Sequence, residues 1–256
     1  MPLRIEAIPA FQTNYIWALI EGKDCLLVDP GSAAEPLDFL AREGLALRGL
    51  LLTHHHHDHI GGVDEILTRY PVPVWGPVDS RIAQVTHRVE HGDRFTTDSP
   101  TLDWRVIETP GHTTTHIVFV TDQLALVGDT LFSAGCGRLF EGTPEQMQHS
   151  LDRLAALPDD TVIYCAHEYT RDNCRFALAV EPDNPALKAR AAQVDKLRQA
   201  GRITLPSTLG EEKTYNPFMR TREPAVIAAA RERDPDCDRS PESVFGVLRR
   251  WKDNFG

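Results

Sequence analysis

The chain has 256 residues, 41% hydrophobic and 25% charged, enough for one large domain or a domain with a smaller companion, with the balance of a soluble globular protein. Its formal net charge of -10 excludes a general nucleic-acid binder, whose phosphate contacts need clustered Lys and Arg, and obliges any anionic substrate to find a local basic patch. No apolar run reaches membrane-spanning length, and the five cysteines (Cys25, Cys136, Cys165, Cys174 and Cys237) are odd in number and hold no C-x-x-C pair, so the expectation is a monomeric cytoplasmic protein with no membrane partner.

From the N-terminus, residues 3–8, 15–20 and 25–28 read as strands, with Asp29-Pro30-Gly31 as a turn. A helix is predicted over 34–43, a strand over 47–52, a helix over 62–70 and a strand over 72–75. Strand-length aliphatic runs follow at 105–108, 117–120 and 124–127. Thr143-Pro144-Glu145-Gln146 opens a helix: Thr143 caps it, Pro144 suits its first turn and Gln146 completes a capping box. Met147, Leu151 and Leu154 then repeat on one face, a core pattern. Residues 161–165 form the last clear strand. Beyond residue 170 the character changes, with helices predicted over 171–180, 185–200, 223–233 and 240–252 and a turn-rich, irregular stretch at 204–218. The organisation read from this is an α/β domain over residues 1–170 and a helical domain over 171–256.

The most informative segment is Thr53-His-His-His-His-Asp-His59. Its core, His54-x-His56-x-Asp58-His59, places four potential ligands for zinc or a similar divalent cation within six residues. A purification tag would sit at a terminus, and this run is internal. A merely solvated loop fits poorly between a buried-looking strand and a glycine-opened helix. His55 and His57 alternate with the candidate ligands, point away from them and are assigned structural or ligand-supporting roles.

Three more strand ends carry an ionisable group: His112 after 105–108, Asp129 after 124–127 and His167 after 161–165. Singly, each is better explained by a structural hydrogen bond, but three of them in a chain that already carries the histidine run reinforce one another. Asp29 reads equally as a turn residue or as a partner that orients a ligand histidine. His87, His91 and His149 fit no ligand pattern and are read as surface residues, His116 as a buried hydrogen-bonding residue and Cys136 as packing.

In their order, His54-x-His56-x-Asp58-His59, His112, Asp129 and His167 resemble the metallo-β-lactamase superfamily. Within it, Gly128-Asp-Thr-Leu-Phe-Ser-Ala-Gly-Cys-Gly-Arg138, Ala166-His-Glu-Tyr-Thr170 and Asn216-Pro-Phe-Met-Arg220 are similar to the glyoxalase II, or hydroxyacylglutathione hydrolase, family, and the likeness runs over essentially the whole chain. It implies a four-layer αβ/βα sandwich with a C-terminal helical domain. It implies two divalent metal ions, zinc foremost with iron or manganese admitted: His54, His56 and His112 on one, Asp58, His59 and His167 on the other, and Asp129 bridging. Asp58 and Asp129 are thus the catalytic carboxylates. The implied reaction is attack of a metal-bridging hydroxide on the thioester of an S-2-hydroxyacylglutathione, mainly S-D-lactoylglutathione, as the second step of methylglyoxal detoxification.

The same resemblance assigns the glycine carboxylate of glutathione to Arg138, Arg249 and Lys252, and its peptide part to Tyr169. Arg249 and Lys252 are three apart on a predicted helix and can share a face, although without the resemblance they read as a solvated helix end. Phe140 stands where many relatives have tyrosine, so one substrate hydrogen bond worth ~0.5–1.5 kcal/mol is missing. An iron-dependent persulfide dioxygenase or a lactonase on the same fold is the alternative.

Overall fold

The computed structural model describes residues 2–255, which separate into two compact units. The first comprises the residues up to Glu108 together with Thr115–Gly128. One sheet in it runs β1 (Arg4–Ala10), β2 (Asn14–Glu21), β3 (Asp24–Val28), β4 (Ala46–Leu51), β5 (Val74–Pro77) and β6 (His87–Val89), in that spatial order. β1, β2 and β3 are antiparallel, and β3 to β6 are parallel. β2 is buried at seven of its eight positions, which is why its sequence is a continuous apolar run rather than an alternation. Helices α1 (Ala34–Glu43) and α3 (Val63–Arg69) bring Leu37, Phe39, Leu40, Val63 and Ile66 into the core with Ile16, Leu27 and Leu50. Between β4 and α3 lies the one-turn helix α2 (His57–Ile60), which the sequence reading took for loop. Strands β7 (Arg94–Asp98), β8 (Thr101–Glu108), β9 (Ile117–Val120) and β10 (Leu124–Gly128) are consecutive antiparallel neighbours. Trp75, Phe95, Trp104 and Phe119 pack ring on ring between 5.5 and 6.4 Å.

The second unit takes Thr109–Thr114 and the residues from Asp129 onward. It begins with the small hairpin β11 (Leu131–Phe132) and β12 (Gly135–Cys136), then α4 (Pro144–Ala155), whose Thr143–Gln146 capping box is present as expected. Strand β13 (Val162–Cys165) pairs antiparallel with β14 (Ser207–Thr208). Helices α5 (Thr170–Val180), α6 (Pro185–Gln199), α8 (Pro224–Arg233) and α9 (Pro241–Asp253) lie within a residue of their predicted starts. The stretch 204–218 is not irregular as expected. After β14 it forms α7 (Leu209–Tyr215) and a 3-10 turn, Pro217–Met219. Thr208 and Glu211 make a second capping box, which offsets the helix-weakening Gly210. No helix among the described residues is long and apolar enough to cross a membrane.

Candidate metal centre

In the first unit, β4 delivers Leu52, Thr53 and His54 into full burial. Asp29 accepts hydrogen bonds from the Thr53 backbone N–H at 2.8 Å and the Thr53 hydroxyl at 2.7 Å. Its second oxygen also lies 3.0 Å from His59 Nδ1. A carboxylate only accepts, so the His59 proton sits on Nδ1 and Nε2 keeps a lone pair able to ligate a cation. The Thr53 hydroxyl spends its own proton on Asp29, so His54 Nδ1, 3.0 Å from that oxygen, donates to it and again leaves Nε2 unprotonated. Asp29 therefore fixes the tautomers of two candidate ligands, and the orienting role, one of the two left open by the sequence, is the one its geometry supports. It does so at φ 49°, a left-handed conformation that Asp tolerates.

Around these atoms, His54 Nε2 lies 3.1 Å from His56 Nδ1, and His59 Nε2 lies 3.6 Å from Asp58 Oδ2. Asn14, absent from the sequence assignments, donates to Asp58 Oδ2 at 3.0 Å and to the Asp58 carbonyl at 3.3 Å. His116 is buried and stacks on His54 at 4.7 Å. His55 turns to Asp79, 3.6 Å away; burial raises the Asp79 pKa, but bonds from Arg81 and Thr115 hold it well below the usual carboxylate range. His57 is exposed, as are His87, His91 and His149. The turn after β3 and the histidine loop are interlocked: Gly62 N–H donates to the Pro30 carbonyl at 3.0 Å, and a Cβ on Gly31 would stand 1.8 Å from the Asp58 carbonyl oxygen.

The second unit contributes His112, Asp129 and His167, all buried. His112 Nδ1 lies 2.8 Å from the Arg138 carbonyl, an acceptor, so here too Nε2 carries no proton. Asp129 presents one oxygen to each histidine: Oδ2 is 3.4 Å from His112 Nε2 and Oδ1 is 3.4 Å from His167 Nε2. Gly137 is required beside it, since a Cβ there would meet the Asp129 carbonyl oxygen at 1.9 Å. The hairpin loop after Asp129 is clamped from below. Asn216 Nδ2 donates to the carbonyls of Phe132 and Gly135, Asn173 Nδ2 to that of Ser133, and Arg190 to the Ser133 hydroxyl. Glu212, fully buried, accepts from Ala134 N–H at 2.9 Å and Asn216 at 3.0 Å on one oxygen and from the Tyr215 hydroxyl at 2.9 Å on the other. Burial pushes its carboxyl above the ordinary glutamate range. These clamping residues carry no motif and were not anticipated.

The donor set tests whether a metal fits. A tetrahedral shell with bonds of ~2.0–2.1 Å has donor–donor edges of roughly 3.3–3.4 Å. The separations within the two units, 3.1, 3.6, 3.4 and 3.4 Å, match that edge. Neutral imidazoles of fixed tautomer beside carboxylates, with their ring protons turned away to fixed acceptors, are the chemistry of a divalent-cation site.

Of the expected substrate contacts, Tyr169 is exposed and stacks flat on His167 at 4.6 Å, and exposed Phe140 sets its edge against His112 at 5.3 Å. Arg138 and Arg249 meet at Asp253. Lys252 lies over the Phe176 ring, its pKa lowered by burial and then by Arg249. The Cys136 thiol is pushed up to about 11 by burial, in keeping with a packing role.

Residues 8–167 match the metallo-beta-lactamase superfamily, and residues 168–255 match the hydroxyacylglutathione hydrolase C-terminus. A protein of Cupriavidus metallidurans named hydroxyacylglutathione hydrolase is 51% identical, covering 99% of both chains. One of the same name from Pseudomonas fluorescens is 49% identical over 99% of this chain and 100% of its own. Among solved structures, ETHE1 from Myxococcus xanthus superposes with a TM-score of 0.68 at 23% identity, covering 100% of this chain and 92% of that one, a likeness of fold alone. The chain belongs to the hydroxyacylglutathione hydrolase family of the metallo-β-lactamase superfamily.

Proposed function

We propose that the chain hydrolyses S-2-hydroxyacylglutathione, with S-D-lactoylglutathione as the main substrate, to glutathione and a 2-hydroxy acid, the second step of methylglyoxal detoxification. The observation that carries this is the half-identity, end to end, to relatives named for that reaction. His54, His56 and His112 are assigned to one cation, Asp58, His59 and His167 to a second, and Asp129 to both, with zinc foremost and iron or manganese admitted. When bound, such a pair of cations supplies a nucleophile at neutral pH and polarises the thioester carbonyl.

The side chains do the rest. Asp29 holds His59 and, through Thr53, His54 in the ligating tautomer. Asn14 steadies Asp58, and the Arg138 carbonyl steadies His112. Tyr169 and Phe140 offer flat walls for the peptide part of glutathione, and Arg138, Arg249 and Lys252 are assigned its glycine carboxylate. A thiolate leaves readily, so no dedicated protein acid is required. The reading takes the enzyme to be a cytoplasmic monomer; its five free, buried cysteines suit a reducing compartment.

The test is metal content measured beside hydrolysis of S-D-lactoylglutathione, a β-lactam and a lactone. Close to two cations per chain and turnover of the thioester alone are expected. A metal-replete sample that leaves lactoylglutathione intact overturns the proposal. Changing Arg249 and Lys252 to Ala should raise KM for glutathione thioesters by about tenfold or more, as loss of charged hydrogen bonds does, and lower kcat less. An unchanged KM removes both from the substrate site.

A further inference from the structure

Two of the three cations assigned to the substrate carboxylate, Arg138 and Arg249, already hold one, whereas Lys252 donates to the Asp172 carbonyl at 3.3 Å. Asp253 Oδ1 accepts from Arg249 Nη2 at 2.8 Å, from Arg249 Nε at 3.1 Å and from Arg138 Nε at 3.2 Å. The third guanidinium nitrogen of Arg249, Nη1, donates to the Cys136 carbonyl at 3.0 Å, with the Cys136 sulfur at 3.7 Å. Each nitrogen of this guanidinium thus has an acceptor. Arg249 is only 7% exposed and lies over the Phe218 ring. Arg138 is half-exposed and Asp253 partly so. An arriving carboxylate therefore meets another carboxylate already on Arg249 Nε and Nη2 and on Arg138 Nε.

We propose that Asp253 is a built-in counter-anion that the glycine carboxylate of the substrate displaces from Arg138 and Arg249, so that this aspartate limits the affinity for glutathione and its thioesters. The inference rests on the substrate reading above. Its physical basis is exchange: incoming hydrogen bonds replace existing ones, and the entering charge is repelled by the one in place until it yields. Without Asp253, the buried guanidinium of Arg249 and the half-exposed one of Arg138 would lose the carboxylate they share, so the same residue stabilises the empty protein. The product keeps the glycine carboxylate, so the competition also loosens released glutathione.

Asp253→Asn keeps the shape and one acceptor oxygen and removes the charge. Calorimetric binding of glutathione to the intact enzyme should tighten by about fivefold in this variant, with a steeper salt dependence, while binding of glutathione carrying a glycine amide does not tighten. KM for S-D-lactoylglutathione should fall in parallel. Asp253→Ser provides the same comparison should the Asn variant not fold. Unchanged or weaker glutathione binding in a folded variant overturns the inference. The underlying reading fails separately: a metal-replete parent enzyme that leaves lactoylglutathione intact overturns it, and Arg249 and Lys252 changed to Ala with glutathione binding and KM untouched removes its carboxylate site.

Discussion

Replacing Asp129 with Ala should remove thioester hydrolysis, by on the order of a thousandfold or more, and lower the metal content of the purified protein at the same time. The reason lies in how the carboxylate is spent: its two oxygens stand 3.4 Å from His112 Nε2 and 3.4 Å from His167 Nε2, one to each. Alanine removes both donors at once. Asp129→Asn is the sharper comparison, because it keeps one ligating oxygen and replaces the other with an NH2 that cannot ligate. That variant should retain more metal than the alanine protein and still turn over poorly. Elemental analysis beside steady-state kinetics, with circular dichroism as a check on folding, decides the matter. Near-normal turnover in Asp129→Ala would count against a bridging role.

Glu212 should have the largest effect on stability. Truncation to Ala takes this acceptor from the Ala134 N–H and the Tyr215 hydroxyl, while Asn216 keeps the Phe132 and Gly135 carbonyls, and an unsatisfied buried donor costs ~1–3 kcal/mol. A loss on the order of 3 kcal/mol lowers the melting midpoint of a chain this long by about 6–12 °C. Burial raises this carboxyl above its unfolded value, so the folded state favours the protonated form. The stabilising contribution is therefore complete below the ordinary glutamate range and fades as pH rises through the raised folded value. Glu212→Gln keeps an oxygen for Ala134 and Asn216 and cannot ionise. Its melting midpoint should fall less with rising pH than that of the parent, and equal slopes would sink the assignment. Because Ala134 is five residues beyond Asp129, the alanine variant should also lose metal affinity.

How much of this was written in the chain differs from element to element. The run ending at Leu52 could be seen as a buried strand feeding a ligand-rich loop, because both the apolar stretch and the histidines are local. Thr143-Pro-Glu-Gln146 announced α4 for the same reason. The identical signal at Thr208-Leu-Gly-Glu211 was passed over, since Pro206 and Gly210 make the neighbourhood look like turn; the reciprocal bonds of Thr208 and Glu211 settle it as helix. β6 and β7 carry exposed Arg and His and show no alternation to read. His112, Asp129 and His167 were legible only as strand exits in a set. The residues that orient them were not. Asn14 reaches Asp58 across 44 residues and Glu212 reaches Ala134 across 78, distances at which spacing carries no pattern. Asp29 was half-legible: its turn was plain, but its bond to His59 depends on the fold.

The interlock of Gly31 with the Asp58 carbonyl, and of Gly62 with Pro30, has a practical meaning for anyone wishing to transplant this chemistry into another scaffold. The histidine segment is not a portable cassette. Residues 29–33 and 53–62 would have to travel as a pair, both glycines included, because the first supplies the surface on which the second is moulded as well as the aspartate that chooses which ring nitrogens stay bare.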